Sequence, residues 1–252
     1  MEKTIAKMKI GEQLVFGHYT SSRREYTNPD PIVWLKASKD CDFISRDVID
    51  SLVFDAREGN GFWYGNADYS LSNIRQFLNS ESDTWFKRQH ENDNPPPYSD
   101  HFGFLYYFDD YEIAGLVERE GSLIRLPAVS DVLNDETKFS LFKQKGVRGK
   151  ASTDYISYHY IDSNIFVSYW LRPESTGGEI SPTASIPILG RNGQIKYVFP
   201  RKEIGIRPVC SINPSLVVEN VDNDVVRVVP FRTNNNICTD DELIDFLGVK
   251  IS

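Results

Sequence analysis

Tyrosine and histidine side chains are concentrated in one short stretch of the chain. Residues 155–160, Tyr-Ile-Ser-Tyr-His-Tyr, hold three tyrosines and one histidine. Tyrosines offer large contact areas at a low cost in side-chain entropy, which suits binding loops. The same side chains could instead fill the space between a helix and a sheet, and the sequence leaves both interpretations open. Tyr158 and His159 are therefore candidate ligand-binding residues.

The motifs that usually identify an enzyme are missing from the sequence. It has no Gly-x-Ser-x-Gly, no His-Glu-x-x-His and no paired cysteine and histidine signature. Residues 146–150, Gly-Val-Arg-Gly-Lys, have neither the glycine spacing nor the Lys-Ser/Thr ending of a phosphate loop. We therefore favour a non-catalytic protein over an enzyme.

The potential metal ligands do not follow a known spacing. Cys41, Cys210 and Cys238 are widely separated and lack a Cys-x-x-Cys pair, so we predict free, buried thiols and no cofactor. Glu91 and Asp93 lie in a polar, proline-rich stretch and Asp100 follows it. Calcium bound by these three carboxylates is a minor alternative, because their spacing differs from that of a helix-loop-helix calcium loop.

An aromatic loop is predicted at residues 59–66, Gly-Asn-Gly-Phe-Trp-Tyr-Gly-Asn, because three glycines exclude a regular element. Phe62, Trp63 and Tyr64 would stack on a sugar or a peptide side chain if the loop binds a ligand. If it does not, they pack the loop onto the core, and the sequence favours this second interpretation.

Two arginine-proline pairs lie in the two stretches around which the chain is organised, each at a point where a strand is expected to end. Arg172 follows the strand-like residues 164–171, and Arg207 lies in residues 205–212, Gly-Ile-Arg-Pro-Val-Cys-Ser-Ile. Proline ends a ladder because it has no N–H to donate. The planar guanidinium groups can hold loop carbonyls or a carboxylate. We expect structural clamping rather than ligand binding.

Regular elements are predicted from alternation, periodicity and capping residues. Strands are expected at residues 13–19, 32–37, 166–171 and 206–212, all in antiparallel sheet, with a hairpin at 186–189 and 194–199. Helices are expected at residues 47–52, 70–79 with Ser70 as its cap, 109–117 and 127–134. We expect Trp34, Trp170 and Phe77 to be buried, with Arg75 beside the apolar stripe of its helix.

Residues 213–252 form an extension. Two β-branched runs, 215–219 and 224–231, predict a hairpin, and Thr239-Asp-Asp-Glu242 predicts the start of a short helix. We expect this extension to pack on the rest of the chain. An exposed edge of the hairpin would make it a docking site for another copy or for a particle protein.

Composition limits the class of protein. The 252 residues carry a net charge of −8, with 40% hydrophobic and 13% aromatic residues. This is typical of a single globular domain rich in strands and loops. Runs of basic residues are missing, so a nucleic acid is not expected as partner. We find neither a signal-peptide pattern nor a bilayer-spanning apolar stretch, which predicts a soluble protein of the cytoplasm or of a phage particle.

Several blocks in order resemble an uncharacterised bacterial and phage domain family, DUF6273. The blocks are residues 11–19, Gly-Glu-Gln-Leu-Val-Phe-Gly-His-Tyr; 31–34, Pro-Ile-Val-Trp; 69–79, Tyr-Ser-Leu-Ser-Asn-Ile-Arg-Gln-Phe-Leu-Asn; and 168–173 with 205–212. The resemblance implies an α+β, C-type-lectin-like fold over residues 1–212, with a twisted antiparallel sheet, short flanking helices and many loops. In its C-type-lectin-like fold the family resembles formylglycine-generating enzymes and variable phage receptor-binding proteins.

The resemblance also carries expectations about function. The stretch that would hold the metal-binding cysteine pair of formylglycine-generating enzymes has no cysteine here, so that activity is not expected. Loops at residues 174–183 and 190–196 match the ligand-contacting loops of receptor-binding proteins. They supply the candidate ligand-binding residues Ser175, Glu179, Arg191 and Asn192.

The preferred function is thus a non-catalytic binding or structural protein, encoded by a phage or mobile element. It would display loops to a protein or glycan ligand on a host surface or to a virion partner, with a homo-oligomer or virion assembly as its setting. The alternative is a cytoplasmic bacterial enzyme or regulator that acts on an unknown small molecule.

Overall fold

The computed structural model describes residues 3–20, 29–59, 63–132, 139, 141, 168–173, 185–190, 193–222, 225–230, 232–233 and 236–237. The strands are β1 (Lys3–Thr4), β2 (Gln13–Tyr19), β3 (Asp30–Lys36), β4 (Asp42–Ser45), β5 (Asp50–Val53), β6 (Ile124–Arg125), β7 (Tyr169–Trp170), β8 (Ile186–Leu189), β9 (Ile195–Val198), β10 (Glu203–Ile206), β11 (Val209–Ser211), β12 (Val217–Asp222), β13 (Val225–Val228), β14 (Arg232–Thr233) and β15 (Asn236–Ile237). The α-helices are α1 (Asn73–Leu78), α2 (Asp110–Gly115) and α3 (Val129–Val132), with 3-10 turns at Ile5–Lys7 and Tyr69–Leu71. The chain is a strand-rich α+β protein.

The strands of the described structure form two sheets and a small β14–β15 pair. The larger sheet has eight strands in the order β1-β12-β13-β2-β3-β4-β11-β6, and the second has five in the order β5-β10-β7-β8-β9. The pairing is antiparallel except at β13–β2 and at β10–β7. β7 is antiparallel to β8 but parallel to β10, and β2 is antiparallel to β3 but parallel to β13. The prediction that the four main strands lie in purely antiparallel sheet is therefore correct only in part.

The chain changes sheets at Arg207-Pro208. A single strand was expected over residues 206–212, but β10 ends at Ile206 in the five-stranded sheet and β11 begins at Val209 in the larger one. Pro208 cannot donate to a ladder, so the break between the strands falls where the sequence contains proline. Arg207 lies at this junction and is fully buried.

Two helix predictions differ from the structure. Residues 47–52 were expected to be helical, but β5 begins at Asp50 and pairs along its length with β10, so tertiary pairing outweighs local preference. Helix α1 begins after Ser72, whose hydroxyl accepts from the Arg75 N–H, and not after Ser70. Ser70 lies in the preceding 3-10 turn, whose N-cap is Asp68.

The main core joins both sheets and α1. Trp34 and Trp170 are fully buried, and their indole N–H groups donate to backbone carbonyls at 2.7 and 2.8 Å. Phe77 of α1 is also fully buried and packs edge-on against Trp85 and Tyr98. The expected burial of Trp34, Trp170 and Phe77 is confirmed.

The C-terminal hairpin is part of the larger sheet. β12 and β13 lie between β1 and β2, and Val226 and Val228 belong to the main core. The expectation of a hairpin is confirmed. β13 is not at an edge, because β2 provides it with a parallel partner, whereas β12 pairs with β1 only at Val217 and Val218 and is exposed from Glu219 to Asp222. The predicted helix at residues 240–247 lies outside the described residues. In the described part of the chain, no helix has the length and apolar character needed to span a membrane.

Candidate functional site

Exposed aromatic side chains lie in two segments that approach each other, the loop after β5 and the end of β9. The exposed fractions are 59% for Trp63, 57% for Tyr64, 67% for Tyr197 and 47% for Phe199. We call these four residues the aromatic surface. Packing of Trp63 and Tyr64 onto the core, which the sequence favoured, is wrong. Phe62 lies outside the described residues.

Ring stacking and two arginines fix the aromatic surface. Tyr64 stacks on Phe199 with ring centroids 5.0 Å apart and an angle of 26° between the planes. The Arg57 guanidinium lies over the Trp63 ring, 3.6 Å from its centroid, and Arg201 Nη1 donates to the Trp63 carbonyl oxygen at 3.0 Å. The rings of Trp63, Tyr64 and Phe199 therefore have defined positions although large parts of them face solvent.

A buried carboxylate holds the C-terminal end of the aromatic loop. Asp55 Oδ2 accepts from the Asn66 N–H at 2.7 Å, and Asp55 Oδ1 accepts from the Asn73 N–H at 2.8 Å. Burial raises the pKa of Asp55 to about 7, although both N–H groups favour the charged form. One carboxyl group thus ties the loop to the start of α1.

Gly65 allows the loop to lie close to the backbone that follows β5. Its φ of +83° is in the left-handed region, and a Cβ atom there would be 2.7 Å from the Asp55 carbonyl oxygen. The same Cβ would be 3.0 Å from Pro200 Cβ. Only glycine fits here without strain, and this close approach brings Tyr64 beside Phe199.

A second carboxylate holds the N-terminal end of the loop. The carboxylate of Asp93 accepts from the N–H groups of Gly59, Gln89 and His90 at 2.8 to 2.9 Å. Burial alone would raise the pKa of Asp93, but these three bonds and the nearby imidazole of His90 outweigh it and lower that pKa. Asp93, one of the three calcium candidates, therefore serves to anchor the loop.

The aromatic surface combines apolar rings with positive charge. Exposed Arg201 and Lys202 follow Phe199 closely in the chain, whose net charge is −8. Tryptophan, tyrosine and arginine are the residue types that contribute most to binding energy in protein interfaces. Because stacking and the two arginines already hold Trp63 and Tyr64, a ligand would bind them without the cost of ordering these side chains.

A second polar group is the cluster of Tyr19, Asp50 and His101. The Tyr19 hydroxyl donates to Asp50 Oδ2 at 2.5 Å, and His101 Nδ1 lies 3.9 Å from the same oxygen. Burial raises the pKa of Asp50 to about 6, against the hydrogen bonds from Tyr19 and the Ser51 N–H, and Glu203 adds to the rise. The side chains of Asp50 and His101 are 14% and 18% exposed, so solvent reaches this cluster.

The candidate ligand-binding residues from the sequence lie outside the described part of the chain. They are Tyr158, His159, Ser175, Glu179, Arg191 and Asn192. Of the hairpin that holds Arg191 and Asn192, the described residues Gly193 and Lys196 precede Tyr197 in the chain.

The three arginines expected to be structural make clamping contacts. Arg207 donates from Nε to the Ser45 carbonyl oxygen at 2.9 Å and from Nη2 to the Arg46 carbonyl oxygen at 3.3 Å. Arg172 forms an ion pair with Glu120. Arg75 donates to Ser122 Oγ at 3.1 Å and to carbonyl oxygens of Ser70 and Gly121 at 3.2 and 2.5 Å.

Sequence reasoning missed Tyr197 and Phe199 as surface residues. Both were assigned to a hairpin strand. Two properties together indicate their exposure: their side chains lie on the same face of the strand, and the strand lies at the edge of its sheet. Residues 195, 197 and 199 share one face of β9, and β9 is the last strand of its sheet. The sequence shows the first of these properties but not the second.

Buried thiols and metal ligands complete the chemistry of the described residues. Cys41 and Cys210 are free and buried, as expected, and burial raises the pKa of both thiols. In the described ranges, histidine, cysteine and carboxylate side chains do not form a group of three that could hold a metal ion. Glu91 and Asp100 are exposed and do not join Asp93 in such a group. Cys238 lies outside these ranges.

No match to this chain is found among protein-family models, curated proteins or solved structures.

Proposed function

We propose that this chain is a non-catalytic binding protein that uses the aromatic surface to attach to a ligand. The ligand is a protein or glycan, on a host surface or on a neighbouring virion protein. The proposal includes an origin in a phage or mobile element, which rests on the resemblance of the sequence blocks to DUF6273.

The observation that carries this proposal is the exposure of four large aromatic side chains in two neighbouring segments, with three of the rings held by stacking or cation–π contacts. Exposed apolar surface is costly to maintain, and contiguous patches of it commonly mark interaction sites. The carboxylates of Asp55 and Asp93 support the proposal further, because they anchor the two ends of the loop. Since Trp63 and Tyr64 add little to the core, this anchoring is better explained by binding than by stability.

We further propose a C-type-lectin-like fold for the chain. Support comes from the strand-rich α+β architecture with short helices, and from the positions of the matching blocks. Residues 11–19 include β2, residues 31–34 lie in β3 and residues 69–79 include α1. In such folds loops carry the ligand contacts while the sheet stays constant, which agrees with a loop-borne aromatic surface.

The experiment for this proposal is an attachment assay with envelope fragments of the bacterial host and with virions that lack the chain. The double variant Trp63→Ala with Tyr64→Ala should lose attachment and keep its melting temperature. The matched control, Tyr106→Ala, removes another exposed ring, 42% exposed, that lies before α2. Attachment that survives the double variant, or that is lost equally in the control, would contradict the proposal.

A second candidate function follows from the cluster of Tyr19, Asp50 and His101. A carboxyl group with a pKa near 6, a phenol and an imidazole are groups that can transfer protons near neutral pH. This favours the alternative of an enzyme or regulator acting on a small molecule. Turnover or ligand binding that is lost in both His101→Ala and Asp50→Asn, in folded protein, would support it, and its survival in both would reject it.

A further inference from the structure

The hydrogen-bonding direction of β9 follows from its register with β8. Pro187 pairs with Tyr197, and the Pro187 carbonyl oxygen accepts from the Leu171 N–H at 2.9 Å on the β7 side. The main-chain groups of one strand residue point to the same side, so Pro187 faces β7, while Ile186 and Ile188 face β9. The β9 residues opposite them, Val198 and Lys196, therefore bond to β8.

The residues between them face the other way. Tyr197 and Ile195 direct their N–H and C=O groups away from β8, at the open edge of the five-stranded sheet. Among the described residues, none forms a backbone hydrogen bond with these groups. Tyr197 is also the most exposed of the large apolar side chains in the described ranges, at 67%. β9 thus offers both a free ladder and exposed apolar surface.

The opposite end of the sheet is protected. β5 is the other terminal strand, and its last residue, Val53, is buried. The Val53 carbonyl oxygen accepts from the Tyr98 hydroxyl at 3.0 Å. Of the two terminal strands, β9 is the one open to strand addition.

We propose that β9 pairs edge to edge with β9 of a second copy of this chain, antiparallel, about a two-fold axis at Tyr197. In this register Tyr197 faces its own equivalent, Ile195 faces Phe199 of the other copy, and Lys196 faces Val198. The alternate residues Ile195, Tyr197 and Phe199 form a continuous apolar row across the junction. No lysine lies opposite a lysine, so this register brings no like charges together.

The choice of a second copy as occupant follows from the apolar residues Ile195 and Phe199, which lie symmetrically on either side of Tyr197. An isologous two-fold interface requires a surface that matches itself, as this apolar row does. The pairing rests on the edge geometry and not on the identity of the ligand. It would extend the five-stranded sheet and place two aromatic surfaces side by side on one face. Such a dimer would bind a repetitive ligand through both surfaces, which raises avidity without new contacts.

The test is sedimentation velocity of the purified full chain over a wide range of protein concentration. The wild type should form a dimer. Tyr197→Lys places two ammonium groups opposite each other at the axis and should raise the dimer dissociation constant by at least about tenfold. Tyr106→Lys is the control for adding a charge at an exposed ring outside the sheets, and it should leave the dimer intact.

A pair of proline variants tests the main-chain direction itself. Tyr197→Pro removes an N–H that points outward, so it should abolish the dimer and leave the melting temperature close to that of the wild type. Lys196→Pro removes an N–H that bonds to β8 and should lower the melting temperature instead.

A wild-type chain that is monomeric at every concentration would overturn the proposal and leave the edge to a strand of another protein. A dimer that persists in both Tyr197→Lys and Tyr197→Pro would overturn it as well, because the interface would lie elsewhere. Neither result changes the attachment expected of the Trp63→Ala, Tyr64→Ala variant, so the two proposals fail separately.

Discussion

The Tyr64 ring stacks on the Phe199 ring, with centroids 5.0 Å apart, although the two residues come from distant parts of the chain. This pair joins the aromatic loop to the end of β9. It is more than half exposed on the Tyr64 side, so its packing contributes only modestly to the core. Its more specific effect is to hold two rings in one orientation toward solvent.

A double-mutant cycle measures this relationship. Tyr64→Ala and Phe199→Ala should each lower the free energy of unfolding slightly, with a coupling energy of about 0.5–1.5 kcal/mol, as found for aromatic pairs. Chemical denaturation of the wild type, both single variants and the double variant gives this number. Additive effects would mean that the rings are not stacked in solution.

Truncating a buried tryptophan should lower the free energy of unfolding far more than truncating an exposed one. Trp170→Ala empties a fully buried site and removes the donor to the Leu52 carbonyl oxygen, so we expect a loss of about 3–5 kcal/mol. Trp63→Ala is the matched control at a 59% exposed site and should cost about 0.5 kcal/mol or less. A small loss for Trp170→Ala would place that residue at the surface.

The anchoring role of Asp55 predicts a local effect. Asparagine has one oxygen acceptor where Asp55 uses two, so in Asp55→Asn either the Asn66 or the Asn73 N–H loses its bond. At mildly acidic pH we expect a loss of about 1–3 kcal/mol and faster hydrogen exchange in the loop. Glu118→Gln, at an exposed position, is the control and should change neither quantity.

The pH dependence of this effect has a definite sign. The pKa of Asp55 is raised by burial from 3.8 to about 7, so the folded state favours the protonated carboxyl group. The corresponding stability is complete below pH 3.8 and is lost as the pH rises to about 7. The unfolding free energy of the wild type minus that of Asp55→Asn should therefore fall across this range. A constant difference would show that Asp55 does not titrate as proposed.

The sequence predicted local elements better than their partners. β2, the β8–β9 hairpin, α2 and the β12–β13 hairpin were all expected, because alternation and capping residues are local properties. Three features depend on partners far away in the chain and were not predicted. They are the parallel strand pairs, the strand β5 in place of a helix, and the change of sheets at Arg207-Pro208. For the aromatic surface, the sequence predicted the loop that holds Trp63 and Tyr64. It did not predict the exposure of these rings, because that exposure depends on where Pro200 and β9 lie in the fold.

The place of the C-terminal hairpin predicts the outcome of a truncation. Deleting residues 213–252 would remove β12 and β13 from between β1 and β2 and expose core around Leu14. We expect loss of cooperative unfolding and of near-ultraviolet circular dichroism. A truncated chain that unfolds with the wild-type midpoint would show that the hairpin is a separable extension.

Protection of Trp63 tests the central claim most directly. The chain has four tryptophans, and Trp34, Trp85 and Trp170 are at most 2% exposed, so acrylamide quenching of fluorescence should report mainly on Trp63. Trp63→Phe, the control, should lose most of the quenchable emission. On addition of host envelope fragments or of virions that lack the chain, we predict that the wild type binds and that its quenching falls. Binding that leaves the quenching of Trp63 unchanged would contradict the assignment of the aromatic surface as the binding site.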